Sequence, residues 1–248
     1  MEKYTLVIHG GAGTILRQNM TAGMEAAYLK GLEEALAAGY IILENGGAAL
    51  MAVKAAVISL EDNILFNAGR GSVFTGKGLQ EMDAAIMDGS NLQAGAVAAV
   101  KNIRNPVELS EKIMLHSEHI FLSGEGAFEF AKQMNLQTEP DEYFFSEFRY
   151  KQWKDVAGKN TPGADHDILL SENKFGTVGA VACDRNGNIA AATSTGGMTN
   201  KKYGRIGDSP LIGIGTYANN KTCAISCTGH GEPFIRAVSA YDVSCLME

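Results

Sequence analysis

The stretch "KFGTVGAVACD", residues 174–184, poses a backbone question. Its apolar run suits a buried strand, and β-branched Thr177 suits the opening of one. Yet Thr177 stands between Gly176 and Gly179, and glycine weakens a strand unless the backbone bends or something approaches it closely. Beyond Arg185-Asn186-Gly187 comes a second run, "NIAAATST" (188–195), and Asn-Gly between two apolar runs signals a hairpin. "IGIGTYA" (212–218) and "TCAISCT" (222–228) flank Asn219-Asn220 in the same way. The last third of the chain therefore reads as strand-rich, closing with helical periodicity from Phe234 to Met247.

Upstream, Tyr4 to Ile8 reads as a strand ending in a glycine turn. Alanine, leucine and methionine recur at helical spacing from Ala22 to Leu43 and from Ala48 to Leu60. Residues 80–88 and 94–100 suit strands. "NPVE" (105–108) places Asn105 as N-cap, Pro106 at the first helical position and Glu108 at the third, predicting a helix to about His116. Another is expected from Glu125 to Met134. Residues 135–175 are polar, acidic and aromatic, ending in "GKNTPGADHDILLSENK", which lacks periodicity and reads as exposed and flexible. Two halves, each with helices and strands, thus meet near residue 176 in a layered α/β arrangement rich in antiparallel sheet.

Composition narrows the function. A chain of 248 residues can bury a sizeable core as one large domain or at most two. The net charge of −7, with no long Lys or Arg run, argues against nucleic-acid binding. The N-terminus reads as a strand and not as a signal peptide, and no apolar stretch reaches membrane-span length. Cys183, Cys223, Cys227 and Cys245 show no CxxC spacing, which suggests buried reduced thiols in a cytoplasm.

Several chemical motifs fail on inspection. "GSVFTGKG" (71–78) matches phosphate-loop spacing but has Gly78 where Ser or Thr should ligate magnesium. "HGGAG" (9–13) follows a strand but lacks dinucleotide spacing and reads alone as a turn. His116 and His119 fall at i, i+3 on an expected helix face without a third ligand, and His166 sits in the aperiodic stretch, so a metal hydrolase is weakly supported. What remains is hydroxyls: Thr193-Ser194-Thr195 and Thr228 end strands before glycine turns, and Thr177 opens another. Arg205 and Asp208 in "GRIGDSP" lie between them. Arginine offers a planar fork to a carboxylate and aspartate can receive an ammonium, a pairing that fits an amino-acid ligand; a loop salt bridge is the plainer alternative.

At these residues the chain resembles the plant-type L-asparaginases, or isoaspartyl (β-aspartyl) peptidases, of the N-terminal-nucleophile (Ntn) hydrolase superfamily. The matching runs are "HGGAG" (9–13), "LFNAGRGSVF" (65–74), "MDAAIMDG" (82–89), "GTVGAVA" (176–182), "ATSTGGMTNKKYGRIGDSP" (192–210) and "SCTGHGE" (226–232). The resemblance implies an α+β, four-layer αββα sandwich with largely antiparallel sheets, formed by a single Ntn-hydrolase domain over 1–248. It implies self-cleavage between Gly176 and Thr177 into an alpha piece, 1–176, and a beta piece, 177–248. Thr177 would then be nucleophile and base, with Thr195 positioning it, Thr228 and Gly229 as oxyanion donors and Asn67 supporting. Arg205 would clamp the substrate α-carboxylate and Asp208 its α-ammonium, with Thr228, Gly229, His230 and Gly231 completing the pocket.

The expected reaction is hydrolysis of L-asparagine and of β-aspartyl dipeptides in the cytoplasm, with no catalytic cofactor. The resemblance further implies a dimer of cleaved heterodimers. By analogy alone, the backbone carbonyls of Leu60, Glu61, Asn63, Phe66, Ala68 and Arg70 would surround a structural sodium ion. Members of the family continue past the point where this sequence ends, so a C-terminally incomplete domain is expected. A glycosylasparaginase-like hydrolase and a non-maturing amino-acid-binding module are the alternatives.

Overall fold

The computed structural model describes residues 3–12, 20–157 and 176–248. Among the described residues eight strands run in chain order: β1 (Thr5–His9), β2 (Met82–Asp88), β3 (Ala94–Val100), β4 (Phe121–Ser123), β5 (Val178–Cys183), β6 (Ile189–Thr195), β7 (Thr216–Ala218) and β8 (Ala224–Ser226). The helices are α1 (Ala22–Glu44), α2 (Ala49–Asp62), α3 (Pro106–His116), α4 (Gly124–Gln133), α5 (Asp141–Phe144), α6 (Glu147–Ala157), α7 (Gly231–Ala237) and α8 (Ser239–Cys245).

A six-stranded sheet has the order β1-β5-β6-β2-β3-β4, with only the β3–β4 pair parallel, and β7 and β8 form a second, antiparallel sheet. Side chains alternate across the pleat, as a period of two requires. Val178, Ala180 and Ala182 of β5, with Ala190 and Ala192 of β6, join the core shared with α1, α2 and α3. Val181 and Ala191 face the other way, onto Tyr217, Ala218 and Ala240 of α8. The layers are therefore helix, sheet, sheet, helix: a mixed α+β fold of the αββα kind.

Small residues set the spacing of these layers. The buried face of α1 is Gly31, Ala35, Gly39 and Leu43, one residue per turn. A Cβ on Gly39 would lie 2.7 Å from the Ala52 carbonyl oxygen, so α1 and α2 pack nearly backbone to backbone. The β5–β6 hairpin forms as Asn-Gly requires: Gly187 has φ +80°, and the Asp184 carboxylate accepts from the Asn186 and Asn188 N–H groups at 2.9 and 3.0 Å. Asn219 and Asn220 lie between β7 and β8.

Several local expectations change. Asn105 is the N-cap of α3 and Pro106 opens it, as expected, but the Asn105 side chain makes no cap bond: it donates to Asp62 at 3.2 Å, and the Val107 N–H is taken by the Glu61 carboxylate at 3.0 Å. A long helix from Phe234 to Met247 is replaced by α7 and α8, broken at Val238 with φ +50°. The break lets the Ala240 and Tyr241 N–H groups donate to the Ile214 and Gly213 carbonyls at 3.2 and 2.8 Å. Those carbonyls belong to residues 212–215, which form turns and leave β7 only three residues. His119 lies beyond the end of α3, so it shares no helix face with His116.

A further change concerns residues 135–157, where the sequence suggested no element. There α5 and α6 form around aromatic residues: Phe145, Tyr150 and Trp153 gather about Phe74 at centroid distances of 5.8 to 6.1 Å. Buried Arg149 ties α6 to the loop beneath it, donating to the Gly71 and Leu65 carbonyls at 3.1 Å each. The aperiodic end of this stretch, with His166, lies outside the described residues. Cys183, Cys223 and Cys227 are partly buried free thiols, while Cys245 is exposed rather than buried. Among the described residues no helix is long and apolar enough to cross a membrane.

Candidate active site

Thr177 immediately precedes β5, at the end of that strand where β6 finishes with Thr195. The register pairs Val178 with Ser194, which brings Thr177 and Thr195 together on the face turned toward β7 and β8. Thr177 is 7% exposed, and its hydroxyl donates to Thr195 Oγ1 at 3.2 Å. Thr195 Oγ1 also accepts the Gly197 N–H at 3.0 Å, which fixes its lone pairs. A third hydroxyl, Ser209 Oγ, lies 3.4 Å from Thr177 Oγ1.

The two glycines beside Thr177 answer the question raised by the sequence. A Cβ on Gly176 would come within 2.7 Å of Asn67 Cβ. A Cβ on Gly179 would collide with Ser226 Oγ and stand 2.6 Å from His9 Nε2. Both positions are close approaches to neighbouring side chains, so neither tolerates a larger residue. Asn67 in turn pins the 65–74 loop to the end of β6. Its amide donates to the Gly197 carbonyl at 2.7 Å, its carboxamide oxygen accepts from Val73 N–H at 3.0 Å, and its backbone carbonyl accepts from Gly196 N–H at 3.0 Å.

Arg205, Asp208 and Gly231 converge on one space. A Cβ on residue 231 would meet Arg205 Nη2 and Asp208 Oδ1 at 2.9 Å each, so the absence of a side chain leaves a gap between a cation and an anion. Glu232 holds the Arg205 Nε–Nη2 edge with two 3.0 Å contacts, leaving the Nη1–Nη2 edge for a ligand carboxylate. That pairing keeps the Glu232 carboxyl below its usual range. His230 Nδ1 lies 2.9 Å from Glu232 Oε2. Asp208 is buried, and burial raises its pKa while Arg205 opposes the shift. Its Oδ2 has no hydrogen-bond partner among the described residues. An unpartnered buried carboxylate oxygen beside an arginine is an acceptor awaiting a cation.

Thr228 and Gly229 lie on the turn between β8 and α7. Thr228 Oγ1 accepts the Ala12 N–H at 3.1 Å, which draws the "HGGAG" run to this turn; Gly13 lies outside the described residues. Gly229 has φ +151°, a backbone open to glycine but strained for other residues. Beneath Gly197, Lys201 and Asp83 form a buried pair at 3.9 Å, and Lys201 also donates to the Glu81 carbonyl at 2.9 Å. Ser209, Glu232, His9, Ser226 and Lys201 were not singled out by the sequence reading. The first two stand one residue from Asp208 and Gly231, a proximity that could have marked them.

Among the described residues no cluster of His, Cys, Asp and Glu could hold a metal ion. The 60–71 loop is different in kind, offering backbone carbonyls. A Cβ on Gly69 would stand 2.5 Å from the Glu61 carbonyl oxygen, and one on Gly71 would collide with the Phe66 carbonyl. Carbonyls crowding a glycine turn are neutral hard donors, a set that fits an alkali cation. Phe74, Gln80, Lys101, Phe145 and Tyr150 help line a separate cavity of about 580 Å³, which holds none of the site residues named above.

Comparison with known proteins matches residues 2–248 to the model of a family described as asparaginase. The chain is 48% identical to the isoaspartyl peptidase of Escherichia coli strain K12 over 250 residues, covering 100% of this chain and 78% of that one. Against the isoaspartyl peptidase of Salmonella typhimurium the identity is also 48%, over 100% and 80% of the two chains. It is 47% identical to the isoaspartyl peptidase/L-asparaginase of Xenopus laevis, over 96% of this chain and 74% of the relative.

Proposed function

The chain belongs to the asparaginase family of hydrolases, and on that premise we propose that it is a threonine-nucleophile amidohydrolase acting on L-asparagine and on β-aspartyl dipeptides. One observation carries this reading. The loop that turns Arg205 and Asp208 toward the gap at Gly231 also places the next residue, Ser209, 3.4 Å from the Thr177 hydroxyl. A ligand with an α-carboxylate and an α-ammonium bound there would extend its side-chain carbonyl toward that hydroxyl.

Among the described residues the partners of Thr177 Oγ1 are the hydroxyls of Thr195 and Ser209, neither of them a base at neutral pH, and self-cleavage supplies one. Thr177 Oγ1 attacks the Gly176 carbonyl carbon, the C–N bond breaks as the hydroxyl proton passes to the departing Thr177 nitrogen, and the acyl group is left on oxygen as an ester. Water then hydrolyses the ester, leaving pieces 1–176 and 177–248. The freed α-amine, with an ordinary pKa of about 8, can take the proton of its own hydroxyl near neutral pH.

In the mature site Thr177 Oγ1 attacks the substrate's side-chain amide carbon, and Thr228 with the Gly229 N–H stabilises the resulting oxyanion. One such donor is typically worth about 3 to 4 kcal/mol. The amine or ammonia departs with the proton held by the Thr177 amine. Water hydrolyses the acyl-enzyme and aspartate leaves. Thr195 and Asn67 hold the nucleophile and its loop. We extend the proposal to a cytoplasmic dimer of cleaved heterodimers, with a structural sodium ion held by the carbonyls of Leu60, Glu61, Asn63, Phe66, Ala68 and Arg70.

Intact-mass measurement tests the scheme. Wild type should give two polypeptides, the second beginning at Thr177, and Thr177→Ala a single uncut chain. Rates on asparagine, β-aspartyl-leucine and a glycosylated asparagine should favour the first two. Hydrolysis of the glycosylated substrate alone, or cleavage at residue 176 in the Thr177→Ala protein, would overturn the proposal.

A further inference from the structure

Where the two sheets meet, side chains from four strands and one loop form a continuous polar line that the reaction above does not use. His9 Nε2 on β1 lies 2.9 Å from Ser226 Oγ on β8. Ser226 Oγ is 2.7 Å from Thr193 Oγ1 on β6, and Thr193 Oγ1 is 2.7 Å from Thr216 Oγ1 on β7. Thr216 in turn contacts the Ser209 carbonyl at 2.9 Å. One end of the line returns to Thr177, where Ser209 Oγ is 3.4 Å from its hydroxyl; at the other end His9 pairs across the sheet with Gly179, two residues beyond Thr177.

The line crosses a seam that is otherwise apolar, built from Met87, Ala191, Tyr217 and Ala218. Thr193 and Thr216 are completely buried there. Buried hydroxyls are costly unless each finds a partner, and valine or alanine would close the same seam without that demand. Polar lines of this kind lock one another's rotamers and so define a single arrangement. Gly179 fits the same account, because His9 and Ser226 close over the space where its side chain would stand.

We propose that His9, Ser226, Thr193 and Thr216 are positioning residues. Together they fix the Ser209 loop against the start of β5, so that the Thr177 hydroxyl points at the bound substrate. The role rests on the reaction proposed above. It meets the loop at the Ser209 carbonyl and not at the Arg205 or Asp208 side chains, so its effect belongs in kcat more than in KM.

The test compares wild type, Thr216→Val (nearly the same shape without the hydroxyl), Ser226→Ala and Thr216→Ser. Each is assayed on β-aspartyl-leucine, with rates normalised to the Thr177 N-termini counted by intact mass. Thr216→Val and Ser226→Ala should each lose about tenfold or more in kcat with KM held within about twofold. Thr216→Ser, which keeps the hydroxyl, should stay near wild type. Unchanged kcat per mature site in the first two variants overturns the role, as does a change confined to KM. Loss of cooperative unfolding in both overturns it too, by assigning the line to core stability. An active wild type with active variants refutes the line alone. A wild type that hydrolyses no β-aspartyl substrate refutes the parent reaction, and the line's role with it.

Discussion

Gly231→Ala should weaken substrate binding without weakening the fold. The added methyl carbon would sit 2.9 Å from Arg205 Nη2, 2.9 Å from Asp208 Oδ1 and 3.0 Å from the Asp208 backbone nitrogen. Real Cβ atoms do not tolerate such distances, so one of the two charged groups must move. Neither is free to do so at no cost. Glu232 grips Arg205 at two points, and the Asp208 carbonyl accepts the Leu211 N–H at 2.9 Å. Losing one hydrogen bond to a charged group costs about 1.5 to 3 kcal/mol. At about 1.4 kcal/mol per factor of ten, KM for β-aspartyl-leucine should rise between about tenfold and about 150-fold. Residue 231 opens α7, and alanine is favoured over glycine in helices, so the backbone effect on stability points the other way. The assay is initial rate against substrate concentration, beside a urea-unfolding curve for the same preparation. A KM within about twofold of wild type on a stable protein would refute the placement of the substrate's charged end in this gap.

Two further perturbations test the surrounding framework. Asp83→Asn removes the counter-charge of Lys201 in a fully buried setting and should cost about 3 to 5 kcal/mol in urea unfolding, with the double variant Asp83→Asn/Lys201→Met recovering most of it; equal stability in both would refute the pair. His9 is buried enough to bring its pKa from 6.5 down to about 4, so the unfolded chain binds more protons between those values. Stability from this group is fully present above pH 6.5 and falls as the pH drops toward 4, by up to about 3 kcal/mol. His9→Gln should flatten that part of the unfolding profile, and an unchanged slope would contradict the burial argument.

How far these features could be read from sequence depends on how local their causes are. The β5–β6 hairpin is written in four consecutive residues, because Asn186-Gly187 supplies the turn and Asp184 caps it. The main helices follow from spacing alone, since α1 buries one residue per turn. The start of α3 is legible in Asn105-Pro106, but the acceptor of its Val107 N–H is not, because Glu61 lies 46 positions before it. The break at Val238 was invisible for a similar reason: the groups that reward it are the Gly213 and Ile214 carbonyls, and carbonyls have no residue signature. The helix α6 was missed because its packing signal is aromatic and short, aimed at Phe74 far upstream. Thr177, Thr195, Arg205 and Asp208 stand out in sequence by residue type and position, but the His9–Ser226 contact spans 217 positions and no window could show it.

The glycines of the candidate site carry information of a different kind, because four of them mark where another residue's atoms already are. Gly176 is occupied by Asn67, Gly179 by His9 and Ser226, Gly196 by Asn67 and Ser72, and Gly231 by Arg205 and Asp208. Together these four outline the candidate site from its inner side: the nucleophile's loop, the polar line behind it and the charged gap in front. The high glycine count of the sequence reads at these four positions as a negative image of side chains that must come close to the backbone. The same inference has a limit, since nothing within 4 Å would meet a Cβ on Gly187, which is there for its φ of +80° alone. Alanine at 187 should therefore strain only a turn and leave kcat and KM unchanged, whereas alanine at 179 should displace His9 and Ser226 and lower kcat. If the two substitutions had the same effect on kcat, the glycines around Thr177 would be serving the backbone and not the site.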